Sequence, residues 1–438
     1  MVFTFAREEE ITGEVVREFI DQHQLLVPKY LESKNMYEGK HQILSREARE
    51  AYKPDNRLVV NFAKYIVDTF NGYFIGITIK LSHDNVFVHE NILTFAKRSN
   101  LADSEAELAK MASIYGHAFE YIYQDEETNT KVIYNSPIDM FVVYDDTIAQ
   151  EPLFAVRYQY DEDGKLTGEL IDDGYRNKLT GSKNDKVIIS DAAPHYYGGV
   201  PVIEYMENEE RQSIFENVKS LINALNTSLS QKADDVDYFA DAYLKIIGAE
   251  LDEETMTELR ANRTINLVGD GANDVTIEFL TKPNADQTQE NLIDRLINLI
   301  FQVAMVANIN DDSFGSASSG VALEFKLQPM KNLAIMKERK FRNSMQDRFK
   351  LYFNLPTNMQ PSLRDEWLNI EYLFSRNIPH NIADEAETAS KLEGIVSKET
   401  QLSVLSIVDD SKTEIERMDK ESIPVSLSDE ELSTRFGR

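Results

Sequence analysis

The chain has 438 residues, a hydrophobic fraction of 42% and a formal net charge of −29 at pH 7. That length allows two or three domains or one elongated subunit, and that hydrophobic fraction excludes a disordered acidic polymer. The sequence contains no cysteine, which excludes disulfides, thiolate metal sites and cysteine nucleophiles.

The acidic charge limits the kinds of partner. It argues against a protein that grips nucleic acid over its whole surface, because such proteins need Lys and Arg to displace counterions. The acidic charge is still compatible with a protein along which DNA moves without being bound. No apolar run reaches the length of a membrane span, and the first ten residues do not resemble a signal peptide. The sequence therefore predicts a soluble protein that is made in a cytoplasm and enters no membrane.

The first 115 residues carry mainly helical periodicity. Apolar residues three and four apart predict a helix or two over 6–35 and a helix from about Asp55 that breaks at Asn71–Gly72. The β-branched stretch 73–81 is typical of a strand, and one helix is predicted over 92–115, capped by Ser104.

From 118 to 202 the hydrophobic period changes to two. Short strands separated by acidic turns predict an antiparallel segment, which makes the front half α+β. The predicted strands are 119–123, 132–134, 140–144, 154–160, 169–171 and 186–190, and a turn is predicted at 180–185.

Two long helices of similar length follow, at 212–240 and 284–309, and could pair side by side. Between them lies a small insert, 241–283. Its predicted elements are a strand at 243–247, a short helix at 252–261 and a hairpin of 264–268 with 275–280.

The helix at 284–309 has an apolar face wider than one neighbouring helix would cover. The loop after it, 310–321, is dense in turn formers and has almost nothing to bury. A second long helix follows at 322–352, in which Lys and Arg outnumber Asp and Glu. Acidic helices are predicted over 381–422, and the polar tail 423–438 is expected to fray.

Common catalytic motifs are absent from the sequence. There is no P-loop, no dinucleotide-binding glycine fingerprint and no nucleophile elbow, and the His residues lack metal-ligand spacing. Adjacent Asp pairs such as Asp311–Asp312 could hold Mg²⁺, although neighbouring side chains on a strand point to opposite faces. We expect no catalytic residue, metal or cofactor, and a metal-dependent phosphodiesterase or nucleotide-handling enzyme stays open as the alternative.

The basic helix allows two interpretations. It is a surface helix that pairs with acidic neighbours, or it lies near a phosphate backbone or the acidic surface of another subunit. The candidates for a contact with DNA or a subunit are Lys331, Lys337, Arg339, Lys340 and Arg342.

Five stretches resemble one known family when they are taken together and in order. They are 61–76, 115–123, 215–244 with its Asp-Tyr-Phe-Ala-Asp-Ala-Tyr-Leu run, 318–323 before the basic helix, and 375–379. In these the chain resembles the portal proteins of tailed bacteriophages, of the siphovirus type from Gram-positive hosts. The resemblance covers nearly the whole chain, which makes it more specific than any one stretch.

The resemblance implies the portal fold: an α/β wing, a two-helix stem, a small α/β clip, a tunnel loop and a helical crown. By that analogy, the wing is 1–211 with 322–374 returning to it, the stem is 212–240 with 284–309, the clip is 241–283, the tunnel loop is 310–321, and the crown is 375–422.

The resemblance also assigns candidate residues to these parts. The tunnel-loop residues facing DNA would be Asn310, Asp311, Asp312, Ser313, Phe314, Ser316, Ser318 and Ser319. The stem residues packing between subunits would be Leu292, Leu296, Ile300 and Val303. The clip residues docking partners would be Asp252, Glu253, Glu254, Arg260, Arg263 and Asp270.

The implied function is structural. Family members form a homo-oligomeric ring, usually of twelve subunits, at one capsid vertex of the virion, through which double-stranded DNA is packaged and ejected. The implied partners are the terminase large subunit, the head-completion adaptor, and the major capsid and scaffolding proteins, with assembly in the host cytoplasm. A monomeric binding module is a further alternative.

Overall fold

The computed structural model describes residues 2–50, 53–183, 185–240, 244–247, 276–279, 286–309, 320–377, 382–405, 407–408 and 411–422. The chain divides into two compact units, Met1–Arg376 and Asn377–Arg438. The first unit combines helices with antiparallel sheets, which confirms the predicted α+β class.

The helices of the described residues are numbered here in chain order. They are α1 (Gly13–Gln24), α2 (Val27–Tyr37), α3 (Phe62–Ile75), α4 (Val86–Arg98), α5 (Leu101–Tyr115), α6 (Lys219–Ala240), α7 (Asp286–Ala304), α8 (Gly320–Asn354), α9 (Ile382–Lys391), α10 (Lys398–Leu402) and α11 (Ser411–Ser422). Short 3₁₀ helices occupy Gln42–Ser45, Glu216–Val218, Pro361–Leu363 and Glu366–Asn369.

The strands are numbered in the same way. They are β1 (Phe3–Phe5), β2 (Lys80–Ser82), β3 (His117–Gln124), β4 (Thr130–Asn135), β5 (Met140–Asp145), β6 (Pro152–Tyr160), β7 (Lys165–Ile171), β8 (Tyr175–Ser182), β9 (Ile188–Pro194), β10 (Val202–Met206), β11 (Leu244–Ile247), β12 (Thr276–Phe279) and β13 (Glu371–Leu373).

The strands form four sheets. The largest has the order β1-β5-β6-β7-β8-β9, in which β1 is parallel to β5 and the other neighbours are antiparallel. A three-stranded antiparallel sheet has the order β10-β3-β4, and two-stranded sheets join β11 to β12 and β13 to β2.

Strand β5 shows how the large sheet is buried on both faces. Phe141 and Val143 point to the side on which α1 packs, with Phe19 of α1 in the same cluster. Met140 and Val142 point to the opposite side and pack in a second cluster with Phe119 and Val202 of the three-stranded sheet. Alternate residues of a strand face opposite ways, so a nearly continuous apolar run is what a strand buried on both faces requires.

Three predictions for the first 115 residues are wrong. Helix α3 continues through Asn71–Gly72 to Ile75, because its buried apolar face continues from Phe70 to Phe74 across that pair. The strand predicted over 73–81 is therefore reduced to β2. The predicted helix over 92–115 is two helices, separated at Asn100, whose φ of 49° is left-handed, and Ser104 is buried within α5 rather than capping it.

Further differences concern the strands and the insert. Strand β8 was missed and includes part of the predicted turn at 180–185, and β10 was also missed. Strand β12, within the predicted 275–280 strand, pairs with β11; residues 264–268 lie outside the described residues. Helix α6 begins at Lys219, after a 3₁₀ turn, rather than at 212.

Candidate functional site

Two of the predicted site segments lie outside the described residues. They are the tunnel-loop residues within 310–319 and the clip residues within 252–270. The candidate site that the structure does describe consists of the helix pair α6–α7, the basic helix α8, and the elements that hold them.

Helices α6 and α7 lie against each other. Lys232 of α6 forms an ion pair with Glu290 of α7, and Gln289 Nε2 donates to Asp235 Oδ2 at 3.2 Å. At its far end α7 meets α3, where the Phe301 ring lies 5.1 Å from that of Phe62 in an edge-to-face contact. Helix α7 is therefore held by α6 at its first turns and by α3 near its last turn, within one chain.

The predicted stem residues fall into two groups. Leu296 and Ile300 are buried within the chain itself, which argues against a contact of these two side chains with another subunit. Each lies on the face of α7 that the chain's own neighbours cover. Leu292 and Val303 are exposed, and their contact with another subunit stays a prediction.

An irregular segment, 54–61, which we name the strap, lies along α6. Alternate backbone N–H groups of the strap donate to α6 side chains that lie one helical turn apart. The bonds are Val60 N to Asn226 Oδ1 at 2.8 Å, Leu58 N to Ser230 Oγ at 2.9 Å and Asn56 N to Asp234 Oδ1 at 2.6 Å. Asp234 also receives Arg49 Nη1 at 2.7 Å. The strap thus joins the N-terminal helices to α6 through polar contacts.

The basic helix α8 is held by a buried lysine. Lys337 is 1% exposed, and its Nζ lies 2.6 Å from Glu207 Oε2. The same Nζ donates to the Ala109 carbonyl and to Ser113 Oγ, both at 2.8 Å. Burial lowers the pKa of Lys337, and the charge of Glu207 opposes that effect. The prediction that Lys337 contacts DNA or another subunit is therefore wrong, because every position around its ammonium is taken within the chain.

Three turns further along α8, Arg348 forms a second buried cluster. Its guanidinium donates to both oxygens of Glu120 at 2.8 Å and to Glu105 Oε1 at 2.5 Å. Tyr205 Oη donates to Glu120 at 3.0 Å, and its ring lies 5.7 Å from the guanidinium. The two clusters fix α8 to α5 and to the three-stranded sheet.

The remaining basic candidates lie at the surface to different degrees. Lys340 pairs with Glu209, and Arg342 pairs with Glu338 at 3.0 Å. Lys331 and Arg339 are exposed and form no ion pair with any residue that the structure describes. A contact of these four with DNA or a subunit stays a prediction.

Sequence reasoning missed the acidic partners of α8. Glu120 lies between Phe119 and Tyr121 in an apolar strand, and shares a face with the buried Ala118 and Ile122. A charged residue at an inward position of a strand is a signal that a buried partner exists. The sequence does not say which cation, because Arg348 is 228 residues away.

A small cavity lies under β1, beside another buried charged group. Its volume is about 20 Å³, and its walls include His117, Glu204 and Arg211. Such a volume admits one water molecule and no larger ligand. Burial alone would raise the pKa of Glu204, but hydrogen bonds from His117 and Arg211 outweigh it and hold that pKa well below its usual range.

Two other kinds of site are absent from the described part of the chain. Within it, no three His, Asp or Glu side chains come together as a metal site. None of its helices combines the length and apolarity needed to cross a membrane.

The chain is similar to known proteins over most of its length. It is 24% identical to a portal protein of Bacillus phage SPP1, over 93% of this chain and 86% of that protein. It is 23% identical to a portal protein of Clostridium phage phiCD119, over 87% of this chain and 90% of that protein. A chain from the neck of a native GTA particle, computed with C12 symmetry, superposes with a TM-score of 0.48 and 11% identity, over 78% of this chain and 89% of that one.

The family match covers most of the chain as well. The sequence model described as "Phage portal protein, SPP1 Gp6-like" matches residues 17–424. That span includes the strap, both helices α6 and α7, and the whole of α8. The chain is a structural portal protein of a phage particle, and it belongs to the SPP1 Gp6-like family of phage portal proteins.

Proposed function

We propose that this chain forms a closed homo-oligomeric ring, of twelve subunits, at one vertex of a phage capsid. Double-stranded DNA would pass through the ring during packaging and again during ejection. The observation that carries the proposal is the family match over residues 17–424.

The parts of the chain have separate roles in this proposal. Helices α6 and α7 form the stem, 241–283 forms the clip, and 310–321 forms the tunnel loop around the DNA. Residues 1–211 with 322–374 form the wing, and 375–422 form the crown. The buried clusters of Lys337 and Arg348 support this division. They hold α8 against the three-stranded sheet of the proposed wing, and the proposed stem helix α6 follows the last strand of that sheet.

The proposed partners follow from the same arrangement. The clip docks the terminase large subunit during packaging and the head-completion adaptor afterwards, through residues such as Asp252, Arg260 and Asp270. The major capsid and scaffolding proteins surround the ring, which assembles in the host cytoplasm before it becomes part of the virion.

The proposed mechanism is passage rather than catalysis. A subunit charge of −29, repeated around a ring, repels phosphates and discourages DNA from binding to the walls. The tunnel loop, which is polar and rich in small residues, then meets the DNA without an apolar surface to hold it. No observation favours the phosphodiesterase alternative, and we do not propose it.

Imaging of the protein co-expressed with its phage scaffolding protein tests the proposal. We expect rings with a central hole and a sedimentation mass of about 600 kDa, as twelve copies of a 50.2 kDa chain require. The scaffolding protein is included because a portal ring can depend on it for assembly. A mass near 50 kDa under these conditions, with no rings in the images, would contradict the proposal.

A further inference from the structure

The last turn of α1 is held in place by a buried histidine. His23 is 1% exposed, with its Nε2 atom 2.8 Å from the Pro137 carbonyl oxygen and its Nδ1 atom 2.8 Å from Tyr158 Oη. Aromatic rings from four different elements surround the imidazole, at centroid distances between 4.8 and 6.3 Å; they belong to Phe3, Tyr30, Phe141 and Tyr158. Both ring nitrogens of His23 are therefore used inside the chain.

The two hydrogen bonds of His23 specify a neutral imidazole. A carbonyl oxygen can only accept a hydrogen bond, so Nε2 carries the hydrogen that is donated to Pro137. Nδ1 is then left with a lone pair, which accepts the hydroxyl hydrogen of Tyr158. A second proton, on Nδ1, would meet that hydrogen and place a positive charge in the core. No carboxylate bonds to this ring among the residues that the structure describes, so the charge would lack a direct partner.

The ionisable groups near His23 do not balance such a charge. They are Tyr30 of α2, Tyr158 of β6 and His117 of β3, with Glu204 of β10, Arg211, Asp21 of α1 and Asp139 of the β4–β5 turn further out. Glu204 is already paired with Arg211, which donates to its two oxygens at 2.6 and 2.7 Å. Asp21 and Asp139 are exposed, so water weakens their attraction for a buried charge.

The other polar attachments of α1 keep their charge in mildly acidic solution. Arg17 donates to Tyr160 Oη at 2.8 Å, and a guanidinium stays protonated throughout this range. Glu14 pairs with Lys186 at 2.7 Å, which lowers the pKa of Glu14 and keeps it ionised. Among the attachments of α1 in the described part of the chain, His23 is therefore the one that gains a charge between pH 8 and pH 5.

We propose that α1 is an acid-released clamp: protonation of His23 detaches α1 from the large sheet while the rest of the first unit stays folded. This inference goes beyond the proposed ring and does not depend on it. Helix α1 covers Phe141, Val143 and Phe154 of the sheet. Its release uncovers apolar surface that stays closed at neutral pH.

The pH range of the release follows from the environment of the imidazole. Burial lowers the pKa of His23 from 6.5 to about 4, whereas a detached α1 leaves the ring in water at its ordinary pKa. Release therefore takes up a proton, and the closed form loses stability as pH falls from 6.5 towards 4. These two pKa values make the opening constant of α1 about thirtyfold larger at pH 5 than at pH 8.

Hydrogen exchange of the full chain, followed by mass spectrometry from pH 8 to pH 4.5, tests the release. After correction for the intrinsic pH dependence of exchange, the opening constant of the α1 amides should rise about thirtyfold by pH 5. Amides of α3, which belongs to the part that stays folded, should then exchange at least about tenfold more slowly than those of α1.

His23→Gln is the matched variant, because its amide can donate to Pro137 and accept from Tyr158 but takes up no proton. Its α1 amides should lack the rise. His83→Gln removes an imidazole from the connection between β2 and α4, where it contacts Glu366 rather than α1. This control should keep the rise of the wild-type chain.

Three outcomes would overturn the inference. If the α1 and α3 amides exchange together at pH 5, the chain opens as a whole and α1 is not released. If the rise persists in His23→Gln, another group causes it. If wild type shows no rise between pH 6.5 and pH 4.5, the clamp does not respond to acid, and this result needs no variant to fold. A wild-type chain that shows the rise but forms no ring supports the clamp and contradicts the proposed function alone.

Discussion

The Arg348 cluster contains more negative than positive charge. One guanidinium faces two carboxyl groups, and all three side chains are buried. Because an unbalanced buried charge is costly, one carboxyl should hold a proton near neutral pH. Glu120 receives two bonds from Arg348 and one from Tyr205, whereas Glu105 receives one. Burial raises the pKa of Glu105, although the charge of Arg348 opposes that effect, and we predict that Glu105 is the carboxyl that holds the proton.

Glu105→Gln and Glu120→Gln should therefore differ in stability. At pH 8 we expect Glu120→Gln to lower the free energy of unfolding by about 3–5 kcal/mol, since it leaves Arg348 without its main partner. We expect Glu105→Gln to be at least as stable as wild type at pH 8, because the folded wild-type chain must keep on Glu105 a proton that the unfolded chain releases. Urea unfolding of both variants measures this, and equal losses would contradict the assignment.

The pH dependence of the same variants gives an independent check. The folded chain binds the Glu105 proton more tightly than the unfolded chain does, so wild type loses stability as pH rises above the ordinary value of 4.5 towards the raised pKa. Glu105→Gln lacks this titration. Its stability relative to wild type should increase from pH 4.5 to pH 8.

The sequence contains enough information to tell which basic residues of α8 are buried, but not which acidic residues they pair with. The positions of Lys337 and Arg348 on α8, in register with Ala334 and Phe341, place them on its buried face. Periodicity could have separated them from Lys331 and Arg339. It could not supply Glu207, which is 130 residues away in sequence and comes near only through the packing of α8 on the three-stranded sheet.

The spacing of residues along the extended strap agrees with the rise of one turn of helix α6. Alternate residues of an extended chain are about 6.6 Å apart, and four residues of an α-helix rise about 6 Å. Three N–H groups of the strap can therefore reach three successive turns of α6. Leu58 and Val60 of the strap are exposed and Val59 is only partly buried, so these polar bonds contribute much of its attachment.

Removing one acceptor should release the strap locally. We expect Ser230→Ala to lower the local stability by about 1 kcal/mol, which corresponds to roughly a fivefold faster hydrogen exchange at the Leu58 amide. Gln231→Ala changes the neighbouring exposed position of α6 and should leave that amide unchanged. If Leu58 exchanges at the same rate in both variants, the hydroxyl of Ser230 does not hold the strap.

Helices and strands with a strong hydrophobic periodicity could be predicted from the sequence, whereas elements with few apolar residues could not. Helices α6, α7 and α8 follow from apolar spacing, although α8 also contains Pro329, which removes one backbone donor. Strand β8 was missed because Leu179 is its one buried large apolar residue. The alternation of apolar and polar residues in β8 is therefore too weak to predict a strand, and only its pairing with β7 and β9 in the structure identifies it. The strap has no periodicity of its own, since its partners lie on α6.

At the scale of the whole molecule, compactness gives one boundary, between Arg376 and Asn377. It falls beside the predicted start of the crown at 375, while the finer division into wing, stem and clip stays a proposal. The core lies in the first unit. Among the described residues of the second unit, Ala389 is the one buried hydrophobic side chain.

A chain that ends at Arg376 should therefore fold almost as stably as the full chain. It retains Arg376, which pairs with Glu338, and it retains β13 with its partner β2. We expect its thermal unfolding midpoint to lie within about 3 °C of the full chain, since little buried apolar surface is lost. Differential scanning calorimetry of both chains measures it.

A chain that ends at Asn369 provides the matched control, because it is only slightly shorter but removes β13 and the rings of Tyr372 and Phe374. Those rings contact Phe349 and Phe341 on the buried side of α8. Losing a buried aromatic side chain costs about 3–5 kcal/mol, so this midpoint should fall well below that of the chain ending at Arg376. If both truncated chains lose the same stability, the second unit supports the first, and the boundary at Arg376 does not mark an independently stable unit.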